Sequence, residues 1–185
     1  MSTSTDTPIE IRPIEENDWS ILRDVRLRAL ANAPLSFGSS LAHEVTFEEP
    51  DWIAVIKRGR WFIAFSKYTP VGVIGGLNHL AQASNEVHLT SFWVDPLFRQ
   101  FGVGSSLLSA ITAWARSMHA AKLTLWVSDQ SSVACQFYLR KGFVDTGARQ
   151  PLPCSPSIGE GKLSLNLWEA TGCETGSTTD VRNEA

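Results

Sequence analysis

The chain has 185 residues, 43% of them hydrophobic and 10% aromatic, with a formal net charge of −3. That length and apolar content suit one domain with a sizeable core rather than two. With no block of like charges and no run of about 18 apolar residues, the sequence shows neither a nucleic-acid footprint, nor a polybasic membrane patch, nor a membrane span, and a small-molecule or polypeptide partner is expected.

Both ends, residues 1–8 and 170–185, are polar and poor in large hydrophobes and are expected to be disordered, leaving one domain over residues 9–169. Ile9-Glu10-Ile11-Arg12 alternates as a half-buried strand. Asn17 or Asp18 can cap a helix with Ile21, Leu22, Val25, Leu27 and Leu30 on its apolar face, ended by Pro34. A shorter helix is expected around residues 47–56, with Pro50 near its first turn. Residues 61–65 and 71–78 read as a hairpin turning at Thr69-Pro70, and residues 86–94 as a further strand.

After Pro96 a glycine-punctuated turn leads into a helix with Val103, Leu107, Leu108, Ile111, Trp114, Ala115 and Met118 at three-to-four spacing. Residues 123–127 read as a strand, and residues 131–140 as a helix with Val133, Phe137 and Tyr138 apolar or aromatic, stopped by Gly142. A strand starts at Phe143, and a Pro-rich loop over residues 151–157 leads to a last strand at residues 162–167. Cys135, Cys154 and Cys173 are odd in number, lack C-x-x-C spacing and follow no secretory signal, so a cytoplasmic location without structural disulfide or metal is expected.

The stretch that carries chemistry is Phe92-Trp93-Val94-Asp95-Pro96 followed by Arg99-Gln100-Phe101-Gly102-Val103-Gly104-Ser105 and the long helix. Glycines let the backbone approach a ligand closely, and free amides at a helix N-terminus favour a phosphate. Alone, a G-x-G before a helix also describes an ordinary tight turn. A dinucleotide fingerprint would want a third glycine where Leu107 stands, and a P-loop would want a lysine after Gly104.

At these residues the sequence resembles the GNAT acetyltransferase superfamily, whose coenzyme A signature Arg/Gln-x-x-Gly-x-Gly/Ala reads here Arg99-x-x-Gly102-x-Gly104. A second family segment, Asn-x-x-Ala-x-x-Phe-Tyr-x-x-x-Gly-Phe, is matched from Ser131 through Ala134, Phe137 and Tyr138 to Gly142-Phe143. Residues 26–30 and 37–39 are similar to one bacterial branch of the family. The resemblance implies an α+β fold with a mixed, mostly antiparallel central sheet of about seven strands, flanked by about four helices and splayed at the coenzyme A site. It implies transfer of an acetyl group from acetyl-CoA to a primary amine by direct attack in a ternary complex, without a metal. A noncatalytic acyl-CoA-binding sensor is the competing reading, disfavoured by the retained Tyr138.

Carried over residue by residue, the family pattern places Phe92, Trp93 and Val94 on the strand that pairs with the pantetheine arm, and the Val94 amide at the thioester oxygen. Arg99, Gln100, Phe101, Gly102, Val103, Gly104 and Ser105 form the diphosphate loop, and Tyr138 contacts the cofactor and protonates the departing thiolate. Ser131 stands where the family commonly has asparagine, and Gln100 and Phe101 where a second arginine is frequent, which shifts weight onto Arg99 and the amides. The base is open: Trp126 occupies one position where the family carries glutamate, His88 the other, and Glu86 is the substitute for His88. The acceptor pocket is expected from residues 35–40 and 148–153, with Trp19, Phe37 and Trp52 as an apolar wall and Glu44, Glu48 and Glu49 attracting a cation. An amino acid, a polyamine, an antibiotic amine and a peptide N-terminus all remain open as acceptors, and a homodimer follows by analogy.

Overall fold

The protein is described by a computed structural model covering residues 8–78 and 85–168. The expected disorder at residues 1–8 and 170–185 lies outside the described residues, Pro8 excepted. In chain order the elements are β1 (Ile9–Pro13), α1 (Trp19–Asn32), α2 (Leu41–Glu44), α3 (Glu49–Lys57), β2 (Gly59–Ser66), β3 (Thr69–Asn78), β4 (Glu86–Val94), α4 (Val103–Ser117), β5 (Lys122–Ser128), α5 (Ser132–Arg140), β6 (Val144–Leu152) and β7 (Ser155–Asn166). The strands form one sheet ordered β1-β2-β3-β4-β5-β7-β6, antiparallel throughout except between β4 and β5. This is the α+β architecture the resemblance implies, with the four-residue α2 as an additional helix.

Helices cover both faces of the sheet. On one face, Ala64, Val71, Ile74, Val87 and Leu89 pack against Val103, Leu107 and Ile111 of α4. On the other, Ile63, Phe65, Val73 and Trp93 meet Leu22, Val25 and Leu30 of α1 and Trp52 and Ile56 of α3. The three-to-four spacing of the α4 apolar residues becomes its buried stripe, and full burial of a side chain such as Leu107 stabilises by about 1.5–3 kcal/mol. Met118, at the end of that stripe, stays 40% exposed. At Gly76 an added Cβ would lie 2.9 Å from both the Ile111 Cδ1 and the Trp114 ring, so glycine is what lets α4 settle this closely on β3.

Two local expectations are corrected. The β2–β3 hairpin turns at Lys67-Tyr68, with Lys67 in the left-handed region at φ +56°, and Thr69-Pro70 already belongs to β3. Pro70 is accommodated beside a register shift between Ala64 and Phe65. The Pro-rich residues 151–157 are not a loop: β6 continues to Leu152, β7 begins at Ser155, and the two pair as a long hairpin. β6 is the sheet edge, where proline is tolerated in a strand.

One irregularity decides the orientation of the site. Val87 and Leu89 of β4 face α4, whereas Trp93, the same parity along the strand, faces α1. The switch is a β-bulge: Ser91 adopts φ +56°, and the pairing with β3 slips between Val73 and Gly75. One extra residue on β4 therefore turns Glu86, His88 and Thr90 toward the α1–α3 side and Phe92 and Val94 toward the α4 side.

Candidate active site

β4 and β5 pair only at Glu86–Lys122, Val87–Leu123 and His88–Thr124, although β4 continues to Val94 and β5 to Ser128. Past His88 the strands splay. The Asp95 amide donates to the Val71 carbonyl at 2.8 Å, and Val94 stands opposite Gly72. Antiparallel alternation then sends the N–H and C=O of Val94 away from β3 and into the gap. The carbonyl accepts from Arg99 Nε at 3.0 Å, which leaves the amide as a donor on the unpaired edge.

Asp95 closes the next turn by accepting from the Leu97 amide at 3.0 Å. The chain then passes through two left-handed residues, Gln100 at φ +69° and Gly102 at φ +80°, before α4 starts. The first bond back to the turn runs from the Ser106 amide to the Gly102 carbonyl, so the amides of Val103, Gly104 and Ser105 precede any intrahelical partner. A Cβ at Gly104 would lie 3.3 Å from the Phe92 ring and 3.7 Å from that of Phe137, the wall of the same recess. Amides, helix dipole and a side chain cut to hydrogen together favour an anionic group at this helix start.

Arg99 lies at the root of this loop, turned back over the strand end. Its Nη2 donates to Asn32 Oδ1 at 3.0 Å, an oxygen that also accepts from Trp93 Nε1 at 3.0 Å. Asn32, at the last turn of α1, was not singled out in the sequence, since nothing in its spacing reveals a contact 67 residues away. Gln100 and Phe101 are exposed, Phe101 at 69%. Ser131, half-buried ahead of α5, lies with its hydroxyl 3.0 Å from that of Ser36, tying the loop after α1 to the mouth of the gap. Residues 35–40 and 148–153 also meet: Cys154 Sγ donates to the Phe37 carbonyl, and Gly38 packs on Pro153.

Tyr138 is 6% exposed, and its ring lies 5.8 Å from Phe92, 5.6 Å from Phe137 and 5.3 Å from Phe143. The Phe92 contact reaches from α5 across the gap to β4. Burial pushes the phenol well above its ordinary value, so it stays protonated and its hydroxyl is a donor. That hydroxyl has no hydrogen-bond partner among the described residues.

His88 and Glu86 come together through Thr124. Thr124 Oγ1 donates to Glu86 Oε2 at 3.2 Å, and His88 Nδ1 lies 3.3 Å from the same hydroxyl. Glu86 is also paired with Lys122 at 3.0 Å and Lys162 at 3.3 Å. Burial pushes its carboxyl up, but the hydrogen bonds and charges of Lys162 and Lys122 outweigh it, and the net shift is downward. A carboxylate held this way is a poor proton acceptor at neutral pH.

On the α1–α3 side a cavity of about 170 Å³ is bounded by Leu77, Thr90 and Ser91 of the sheet and by Arg26, Glu44 and Trp52 of the helices. Leu77 is the β3 partner of His88, so the histidine stands next to the cavity. Glu44, expected to attract a cation, is instead buried against Arg26, which donates through Nε at 2.9 Å and Nη2 at 2.7 Å. Phe37 lies under the same guanidinium at 4.8 Å, and Glu48 and Glu49 are exposed at the start of α3. Arg26 Nη1 and Trp52 Nε1 are buried without a partner among the described residues, each at a cost of about 1–3 kcal/mol.

A sequence profile described as the acetyltransferase (GNAT) family matches residues 26–143. The chain belongs to the GNAT acetyltransferase family. The match spans the splayed strands, the glycine turn ahead of α4 and Tyr138, and this GNAT domain is an acyltransferase. Solved structures share the fold. A GNAT-family acetyltransferase from Streptococcus pneumoniae is 16% identical with a TM-score of 0.71, over 86% of this chain and 99% of that one. The Salmonella typhimurium protein yncA, solved with its cofactor acetyl-CoA, is 15% identical with a TM-score of 0.70, over 90% and 98%. A ribosomal-protein-alanine N-acetyltransferase from Brucella melitensis is 15% identical with a TM-score of 0.68, over 85% and 99%. No curated protein sequence matches the chain. Among the described residues, no helix is long and apolar enough to cross a membrane.

Proposed function

We propose that this GNAT domain transfers an acetyl group from acetyl-CoA to a primary amine by direct attack in a ternary complex. The observation that carries the proposal is the gap between β4 and β5 with the Val94 amide directed into it, next to the free amides of residues 103–105. The yncA structure, similar in fold, holds acetyl-CoA, and the name of the Brucella protein records an α-amine as acceptor, which supports the same chemistry here.

In this reading Phe92, Trp93 and Val94 carry the pantetheine-binding edge, and Arg99, Gln100, Phe101, Gly102, Val103, Gly104 and Ser105 surround the diphosphate, with Ser131 at the mouth. Bound acetyl-CoA supplies an activated thioester. The Val94 amide donates to its carbonyl oxygen, a preorganised dipole that strengthens as negative charge develops there. Tyr138 offers its proton to the leaving sulfur, and the surrounding Phe rings keep the phenol neutral until that moment. His88, beside the acceptor-side cavity, takes a proton from the substrate ammonium, directly or through water, and so frees the amine that attacks. Glu86, the other candidate base, is held by its two lysines and serves better as an anchor for Thr124.

Calorimetric titration with acetyl-CoA, followed by mass spectrometry of an added amine, tests the proposal. It predicts saturable binding and an acetylated amine whose formation requires Val94 to keep its N–H. Turnover should fall, on this account, if Val94 is replaced by proline, while saturable binding through the residue 99–105 loop persists.

A further inference from the structure

The cavity on the α1–α3 side carries an unspent positive charge and two unpartnered donors. Its charged lining consists of Arg26, Glu44 and Arg58. Glu44 is taken by the two-point contact with Arg26, so the pair is neutral as seen from the cavity. Arg58 is exposed and has no ion-pair partner among the described residues. On the flanking elements Lys57 is paired with Glu16, Arg60 with Glu15 and Glu86 with two lysines, while Arg23, Glu48, Glu49 and Asp51 have no ion pair among the described residues but do not line the cavity. The balance at the cavity is one positive charge.

The second observation is independent of charge. Arg26 and Trp52 line the cavity's helical side, and Arg26 Nη1 and Trp52 Nε1 are buried and lack a partner among the described residues. Arginine and indole nitrogens donate and cannot accept, so only an acceptor atom satisfies them. Thr90 and Ser91, at the sheet end of the cavity, lead directly into Phe92–Val94 and the gap. A group seated here is therefore a hydrogen-bond acceptor with negative charge, a few residues along the strand from the Val94 amide.

We propose that the cavity is the specificity pocket for the acceptor and takes its carboxylate, so that the substrate is an amino-acid-like amine, with Arg58, Arg26 and Trp52 as recognising residues. The proposal rests on the acetyl-transfer reading above. It disfavours polyamines, whose further cationic groups would meet the free charge of Arg58. A carbonyl oxygen alone, as at a peptide N-terminus, would satisfy the two donors but leave that charge unmatched.

The test compares kcat/KM for a series of L-amino acids, their carboxamides and the corresponding decarboxylated amines. Amino acids are expected to exceed decarboxylated amines by about tenfold or more, with carboxamides between them, as for loss of a charge-assisted hydrogen bond. Arg58→Gln should cut the ratio of acid to decarboxylated amine by about tenfold, and being exposed it should fold normally. Trp52→Phe, which removes the indole N–H and keeps an aromatic ring, should lower the preference for acids and carboxamides alike. Decarboxylated amines equal to or better than amino acids would overturn the inference, as would an Arg58→Gln protein with an unaltered ratio, while amine acetylation itself would still stand. If no amine is acetylated, calorimetry of the same amino acids decides: binding weakened in Arg58→Gln keeps the pocket and sinks the transfer reading, and no binding sinks both.

Discussion

Replacing Tyr138 by phenylalanine removes one hydroxyl and leaves the ring with its contacts to Phe92, Phe137 and Phe143 at 5.3–5.8 Å. The hydroxyl has no partner among the described residues, so its loss should alter stability by about 1 kcal/mol or less, a shift of roughly 2–4 °C for a chain of this size. A positioned acid contributes about 10²- to 10⁴-fold, or roughly 3–5 kcal/mol of barrier, so turnover should fall far more than stability changes. The deficit should shrink above pH about 8.5, where a thiolate leaves without help. Burial raises the phenol pKa in the folded state above its unfolded value of about 10. Its contribution to stability is therefore complete below about pH 10 and lost as pH rises toward the folded pKa; Tyr138→Phe should lack that alkaline loss. The assay is turnover against pH with one identified amine, with thermal melts over the same range. A variant with full activity at pH 7, under conditions where chemistry limits the rate, would refute the role and leave Tyr138 as packing.

Gly104→Val should weaken acetyl-CoA binding by at least about tenfold, measured by calorimetry, by blocking the amides. The added Cβ would lie 3.3 Å from the Phe92 ring, which must give by a few tenths of an ångström, so a thermal melt accompanies the titration and the loss of binding should exceed the loss of stability. Arg99→Ala should weaken binding in proportion to its charge, so the loss should diminish as salt is raised from low to moderate ionic strength. Glu44→Ala leaves Arg26 buried and unpaired and should destabilise by about 3–5 kcal/mol in urea, whereas replacing both by apolar residues should recover most of the loss. His88→Gln should flatten the acid limb of the pH–rate profile, and Glu86→Gln should leave that limb in place, because the two lysines already hold its carboxyl low.

The glycine turn ahead of α4 was legible because its signal is local: Arg99, Gly102 and Gly104 lie within six positions, and the helix that follows announces itself by its apolar spacing. The strands were read from their own residues, the mixed, mostly antiparallel sheet of about seven strands followed from the family resemblance, and the gap opens beside Phe92–Val94, where that resemblance put the splay. What stayed hidden depends on distance in the chain or on single backbone angles. Arg26 and Glu44 are 18 residues apart, and each alone reads as an ordinary surface charge on a helix. The Ser91 bulge lies where the alternation of Val87-His88-Leu89-Thr90 gives way to Ser91-Phe92-Trp93, a break that does not by itself say which residue is extra, yet it decides which face Phe92 and Val94 occupy relative to His88 and Thr90. Pro151 reads as a loop signal because proline removes a ladder donor, an objection that vanishes on the edge strand β6.

The central claim is that the splayed strands hold a thioester where an amine can attack it. Release of free coenzyme A thiol from acetyl-CoA, followed with a thiol reagent across a broad panel of amines, tests it most directly. The account predicts amine-dependent release that saturates in both substrates and yields an acetylated amine in equal amount. Tight binding of acetyl-CoA with no release above the amine-free rate for any amine would contradict it and make the domain a sensor of acyl-CoA.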